Sequence, residues 1–321
     1  MRKYSIYLLV IVTAVVWIAV LTYPNNNFRI IACDVGQGDA ILAVQGKTQI
    51  LIDGGPDNSV LDCLSHYMPF WDRNIEGVIL THPQKDHYGG LIDVFKRYDV
   101  EIFMANALDS GASEYRVLKD VVGGRGIRVV NLEGGMEVRL GLIHLDILWP
   151  SEEFLSQNSQ EDLKIPNVSI QHTRGVNQLD TSGVLGSFTS KLDPNEFSVV
   201  AILSFKDFDA LLTGDMSPEI SDEIAEQLVV SPSTSLRINS SRTIDYLKVP
   251  HHGSKNGLTQ ELLDASNPEV AIISVGKNNS YGHPHKEVSD MLASFKLRVF
   301  RTDKEGDIVI ESDGNKLFIK E

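Results

Sequence analysis

At 321 residues, 42% hydrophobic and with a formal net charge of −14, the chain can bury one large core or two modest ones. The acidic balance argues against a protein that coats nucleic acid through a basic surface, while a nuclease whose metal centre neutralises phosphate locally stays open. The two cysteines, Cys33 and Cys63, are too few for a disulfide framework or a cysteine zinc site and read as unpaired core residues.

From Tyr4 to Tyr23 the chain carries no charge, is dominated by Leu, Val, Ile and Ala, and follows Arg2 and Lys3. About 20 such residues span a bilayer. The run ends "AVLTYPNNN" with no small-residue cleavage pattern, which predicts an uncleaved signal anchor over residues 1–24. With Arg2 and Lys3 held on the cytoplasmic side, everything after Pro24 is expected outside, in a single-pass protein of the cell membrane.

Residues 25–321 read as one hydrolase-sized domain. Short β-type runs come first, "FRIIACDV", "DAILAV" and "TQILIDGG", separated by glycine-containing turns. A helix near Ser59 to Met68 leads into the strand "GVILTH", the helix "GGLIDVFKRY" and the strand "VEIFMA". Glu114 to Val122 reads as helix and "EVRLGLIHLDILWP" as two strands. Between about 151 and 196 the pattern dissolves into Ser, Asn, Gln, Asp and Gly, as expected of a polar surface insertion or lid. Regularity returns with "FSVVAILSF", "FDALLTGD", a helix over Pro218 to Leu228, "IDYLKVPHHGS", a helix near Leu258 to Ala265, "EVAIISVG" and a helix over Lys286 to Phe295. The strands "LRVFRT", "DIVIES" and "KLFIKE" close the chain, and Ser231 to Ser241 forms a second loop. Apolar strands paired with amphipathic helices in both halves describe an α/β (α+β) αββα sandwich.

Polar clusters fall where the apolar strands end. Asp53 ends "ILIDGG", His82 ends "GVILTH", Asp215 ends "ALLTGD", His251 and His252 end "YLKVPHH", and His283 and His285 follow "AIISVG". Imidazole and carboxylate suit zinc, manganese or iron, and shared carboxylates allow two ions with a bridging hydroxide.

Together "LIDGG", "THPQKDHYGG", "LLTGD", "LKVPHHGS" and "SVGKNNSYGHPH" resemble the metallo-β-lactamase superfamily. Within it, the opening "DVGQGDAILA" and the later "LRVFRTDKEGDIVI" are similar to the extracytoplasmic hydrolase domain of ComEC-type DNA-uptake competence proteins. The resemblance runs from Phe28 to Ile310 and leaves the insertion unmatched. It implies one or two divalent ions, Zn or Mn, with His82 as a first-metal ligand, Asp86 and His87 as second-metal ligands, Asp215 as the bridging carboxylate and Asp53 as the residue orienting the histidine loop. His251, His252 and His283 are the candidates to complete the site, and His252 would also suit protonation of a leaving group.

Gln84 stands where the superfamily pattern has a histidine. Its amide offers an oxygen but no charge, so the first metal site is expected to be weak and the second intact. His144, in a predicted strand, and His172, in the insertion, read as structural.

These expectations describe a membrane-anchored hydrolase cleaving DNA or another phosphodiester outside the cytoplasm, with Asp86 or Asp215 holding the nucleophile and His252 assisting departure. Ser254, Lys255, Lys277 and Asn279 are the expected phosphate contacts. The competing expectations are a metal-dependent ester or lactone hydrolase, which the acidic charge fits slightly better, and a non-catalytic binding domain whose site decayed at Gln84. Competence-type proteins add a multi-helix channel, so a single apolar span does not support transport.

Overall fold

The strand-like runs pair into two mixed sheets. The computed structural model of the chain describes residues 2–21, 27–160, 185–230 and 244–320. Among these, one sheet takes the order Leu317–Lys320, Ile308–Ser312, Phe28–Ala32, Ile41–Gln45, Thr48–Ile52, Asn74–Leu80, Asp99–Ala105 and Arg128–Asn131. The other takes the order Arg298–Arg301, Val270–Ile273, Tyr246–Lys248, Phe208–Leu212, Val200–Phe205, Ile143–Trp149 and Glu137–Leu140. In each sheet hairpin-linked strands pair antiparallel, while strands joined through helices pair parallel, because a crossover returns the chain in the same direction.

Three apolar clusters confirm the layering. Ile30, Ile79, Leu145, Leu203 and Ile272 meet between the sheets. The helices Val60–Tyr67, Leu91–Arg97 and Ser113–Arg125 cover the outside of the first sheet with Leu64, Phe95 and Leu118. Pro218–Val230, Gln260–Ser266 and Lys286–Ser294 cover the second with Ile224, Leu263 and Leu292. The expected αββα sandwich is therefore the observed one.

Three loops are laced together at one end of the first sheet. Gly54 donates to His87 O (2.7 Å), Gly55 to Asp39 O (2.7 Å) and Gly90 to Gly55 O (3.0 Å). The "DGG" and "YGG" glycines make this approach possible: a Cβ on Gly90 would lie 2.1 Å from Gly54 O and 2.2 Å from Asp57 O. Gly38, at φ +154°, lies as close to the backbone of Asp86.

Three sequence expectations change. Cys33 and Cys63 are not free thiols but a disulfide. One cysteine follows the first strand and the other lies on the inner face of helix Val60–Tyr67, with their Cα atoms 5.8 Å apart. The polar stretch 151–196 contributes to the core at both ends, because its few apolar residues are the ones that turn inward. Ser151 caps a helix, Glu152–Asn158, whose Phe154 packs on Trp149 and Phe197, and Phe188 joins Phe197 beneath Leu108. A strand missed in the sequence, Arg128–Asn131, extends the first sheet as an edge, where only Val130 is buried and the apolar signal is weak. Residues 161–184, including His172, and the expected loop Ser231 to Ser241 lie outside the described residues.

Arg2–Leu21 forms a helix. Its described apolar side chains, from Tyr4 to Trp17, are exposed at 50–79%. Among the described residues no helix is long and apolar enough to cross a membrane, so the span itself is a proposal.

Candidate metal centre

The strand ends converge as the sequence pattern requires. Asp53 follows Thr48–Ile52, Thr81 and His82 follow Asn74–Leu80, Asp215 follows Phe208–Leu212, and His252 follows Tyr246–Lys248. A short helix, Lys85–Tyr88, brings Asp86 and His87 to the same edge. Ligand atoms of Asp86, His87, Asp215 and His252 lie within 4.8 Å of one another, and those of Asp39, Asp53 and His87 form an adjoining group.

The backbone is bent to achieve this. Asp53 (φ 58°), His251 (φ 51°) and His252 (φ 55°) are left-handed without being glycine, a conformation that needs the surrounding structure to hold it. The double left-handed turn after Pro250 answers which member of "HH" faces inward. His252 is buried against Asp215, whereas His251 turns outward, with Nδ1 3.3 Å from Asn256 O and its ring 5.9 Å from that of His283.

Three buried imidazoles share one arrangement. His87 Nδ1 faces Asp53 Oδ2 at 2.8 Å, His252 Nδ1 donates to Ser274 O at 2.9 Å, and His82 Nδ1 lies 3.1 Å from Thr81 Oγ1 and 3.3 Å from Ser198 Oγ. The Asp53 carboxylate and the Ser274 carbonyl hold a proton on Nδ1 of His87 and of His252, so that Nε2 is the nitrogen each ring turns forward. All three Nε2 atoms are buried without a hydrogen-bond partner. His87 Nε2 stands 3.4 Å from Asp215 Oδ2, and His252 Nε2 stands 3.3 Å from Asp215 Oδ2 and 3.5 Å from Asp86 Oδ2. Buried nitrogens with nothing to bind, turned toward carboxylates, fit a divalent cation.

Asp53 is itself fixed, accepting from Thr81 N and Thr81 Oγ1, both at 2.8 Å. Beneath the cluster lies a pair the motif reading passed over. Lys248, 1% exposed, contacts Asp39 Oδ2, donates to Gly214 O at 2.7 Å and lies 3.4 Å from Asp215 Oδ1. Asp39 also lies 3.5 Å from His252 Nδ1 and 3.9 Å from His87 Nδ1. Signals for both were present: a lone ammonium inside the apolar strand "YLKV", and an acid between glycine and an apolar run in "GQGDAIL".

Proton affinities follow from the charges. Burial opposes charge on His87 and His252, yet Asp215, with Asp53 on the first and Asp39 on the second, outweighs it and raises both well above the ordinary value. Burial likewise resists ionisation of Asp215, but His252, His87 and Lys248 hold it well below the usual range. Lys248 is raised because Asp39 and Asp215 overcome its desolvation. Burial raises Asp53, in part offset by His87. His82 is pushed down to about 3 by burial and then by His87.

The other expected residues stand apart from this cluster. Gln84, half-buried, caps the Lys85–Tyr88 helix and turns its amide toward Asp193 Oδ1 at 3.4 Å. His283 is half-buried among His251, His285 and Tyr281, with burial pushing it down to about 4. Ser254 is buried, with Oγ accepting from Asn256 N. Lys255 and Lys277 are exposed, and Asn279 braces the loop by bonding Gly276 O, His283 O and His283 N. His144 pairs in the strand Ile143–Trp149 opposite Arg139 and Ser204.

A sequence profile described as the metallo-beta-lactamase superfamily matches residues 33–277. The chain belongs to this superfamily. Among curated proteins, ComE operon protein 3 of Bacillus subtilis is 25% identical over 307 residues, covering 89% of this chain and 33% of that protein. Recombination protein 2 of Haemophilus influenzae is 26% identical over 302 residues, covering 92% of this chain and 30% of that protein. The chain thus spans about a third of the length of the curated relatives it matches. Among solved structures, the metallo-beta-lactamase fold protein YhfI from Bacillus subtilis superposes with a TM-score of 0.53 at 10% identity, over 89% of this chain and 100% of that one. That likeness concerns the fold. As a superfamily member with a buried His/Asp cluster suited to a divalent ion, this is a metal-dependent hydrolase.

Proposed function

We propose that the chain is a membrane-tethered phosphodiesterase that cleaves DNA outside the cytoplasm. The observation that carries the hydrolytic part is the pair of buried, unpartnered Nε2 atoms of His87 and His252 facing Asp86 and Asp215. Similarity to proteins named for the ComE operon and for recombination supports DNA as the substrate. The tether is supported by the uncharged run after Arg2 and Lys3 and by the exposure of its apolar side chains, and the disulfide suits an oxidising compartment.

In this reading Asp86, His87, Asp215 and His252 hold an ion, Zn or Mn, with His82 beside them. Such an ion lowers the pKa of water and offsets charge on phosphoryl oxygens. The protein's share is positioning. Asp53 keeps one proton of His87 on Nδ1 and the Ser274 carbonyl does the same for His252, so each Nε2 is the nitrogen offered to the ion. That role makes His252 a ligand rather than the acid for the leaving group. Lys248 offsets the charge of Asp39 and Asp215 from beneath. Asp86, with its side chain 32% exposed, is the carboxylate of the cluster that water and substrate reach. Lys255 and Lys277 stand on the neighbouring loops to meet phosphate.

The test is elemental analysis of the purified chain together with hydrolysis of bis(p-nitrophenyl) phosphate and of single-stranded DNA under added Mn²⁺ or Zn²⁺. Bound metal and turnover, both lost in His87→Ala, are expected. Metal with turnover of a lactone or simple ester alone would transfer the site to the ester reading. No metal and no turnover would make it a binding domain.

A further inference from the structure

Two large aromatic side chains are displayed far from the metal cluster. Phe70 is 79% exposed and Trp71 50% exposed, and their rings meet edge to face at 4.7 Å. Their turn, between helix Val60–Tyr67 and strand Asn74–Leu80, is firmly built. Asp72 N donates to Pro69 O at 2.8 Å, Asn74 N to Asp72 Oδ1 at 3.1 Å, and Gln49 Nε2 to Asp72 Oδ2 at 3.3 Å. A rigid turn that spends its prominence on Phe and Trp is one prepared for an apolar partner.

The topology says which partner. The turn sits at the start of Asn74–Leu80, and His82 follows that strand's end, so the two lie at opposite ends of the sheet, roughly 20 Å apart at ~3.3 Å per residue. Phe28–Ala32 begins at the same end as the turn. Arg29 donates to Tyr67 O at 3.3 Å and lines, with Phe70 and Trp71, one cavity of ≈ 290 Å³. Only residues 22–27 separate this strand from the apolar helix Arg2–Leu21, a reach of at most about 25 Å. Exposed Lys47, Arg73 and Arg97 stand at that end too. Of the nearby acids, Asp72 is held by Gln49, Glu76 accepts from Gln49 N, and Asp99, though exposed, is paired with Arg125, while Glu101 lies exposed further along its strand. An aromatic tip ringed by cations, a few residues from an apolar helix, has the chemistry of a bilayer interface with anionic headgroups.

We infer that the turn at residues 69–72 docks Phe70 and Trp71 into the membrane surface, so that the domain stands on the bilayer with its metal centre facing away. The inference rests on the tethered reading above and adds an orientation to it.

The test uses the full chain reconstituted in vesicles of phosphatidylcholine and phosphatidylglycerol whose acyl chains are brominated near the headgroup. In Trp17→Phe, the remaining tryptophans are Trp71 and the buried Trp149. Bromolipid is expected to quench part of that emission, and the quenching should vanish in Trp17→Phe/Trp71→Phe. Phe70→Ser/Trp71→Ser should float with vesicles and bind metal as the parent does. Equal quenching with and without Trp71, or none in either, overturns the inference while flotation leaves the tether standing. Failure of the parent chain to float removes the tether itself. Quenching or spectral change that scales with protein density rather than lipid would assign the patch to a second copy and likewise overturn the inference.

Discussion

Replacing Cys33 and Cys63 together with alanine opens a covalent loop whose ends are 30 residues apart. In the chain-entropy account, releasing such a loop in the unfolded state costs about 3–4 kcal/mol at 25 °C. Both positions are buried, at 1% and 4% exposure, so the lost sulfurs add a smaller packing loss of the same sign. Guanidinium unfolding of the full chain in detergent, followed by circular dichroism, should show the double variant less stable by that amount. Its denaturant dependence should be steeper, since the freed chain exposes more surface. The loop encloses Asp39 and Asp53, so metal affinity should fall as well, though no ligand is altered. A difference in unfolding free energy below about 1 kcal/mol would refute the reasoning. So would two free thiols titrating in the unreduced, denatured parent protein.

Asp53→Asn weakens the hold on His87 Nδ1 and should lower metal affinity about 10–100-fold, measured by competition with a chromophoric chelator; unchanged affinity would rule out an orienting role. Lys248→Met leaves Asp39 and Asp215 buried without their cation and should destabilise the metal-free chain by about 3–5 kcal/mol. Asp39→Asn/Lys248→Met should then cost less than the sum of the single changes, and strict additivity would count against the pair. Asp215, aided by Asp53 on His87 and by Asp39 on His252, outweighs desolvation and raises both histidines above 6.5. They therefore carry protons near neutrality that an incoming ion must expel. Affinity should rise with pH, by up to roughly tenfold per unit for each proton released. Calorimetry in buffers of differing ionisation enthalpy counts those protons, and a count of zero would contradict the assignment.

Much of this was legible in the sequence because strand and site share one signal: an apolar run closing on Asp or His. Asp53, His82 and Asp215 were picked out that way, Asp86 and His87 came through the family resemblance of "THPQKDHYGG", and the two layers followed from helices alternating with those runs. Asp39 and Lys248 were passed over because neither closes a strand; Lys248 lies within one, and its charge is compensated only by segments distant in sequence. The doublet His251 and His252 could not be ranked, since a pair of left-handed residues decides which ring turns inward and spacing carries no trace of it. The disulfide escaped for a similar reason. Two cysteines in a chain of this length do not indicate a pair until the first strand and the helix Val60–Tyr67 are brought together.

The metal cluster draws Asp53, Asp86 and His87 from one layer and Asp215 and His252 from the other. Neither half of the polypeptide holds a competent ligand set, so hydrolytic capacity is a property of the closed sandwich alone. A chain still folding is chemically silent until its later strands have docked. A proteolytic cut that lets the layers part would extinguish activity without altering a single ligand, which makes turnover itself a gauge of completed assembly.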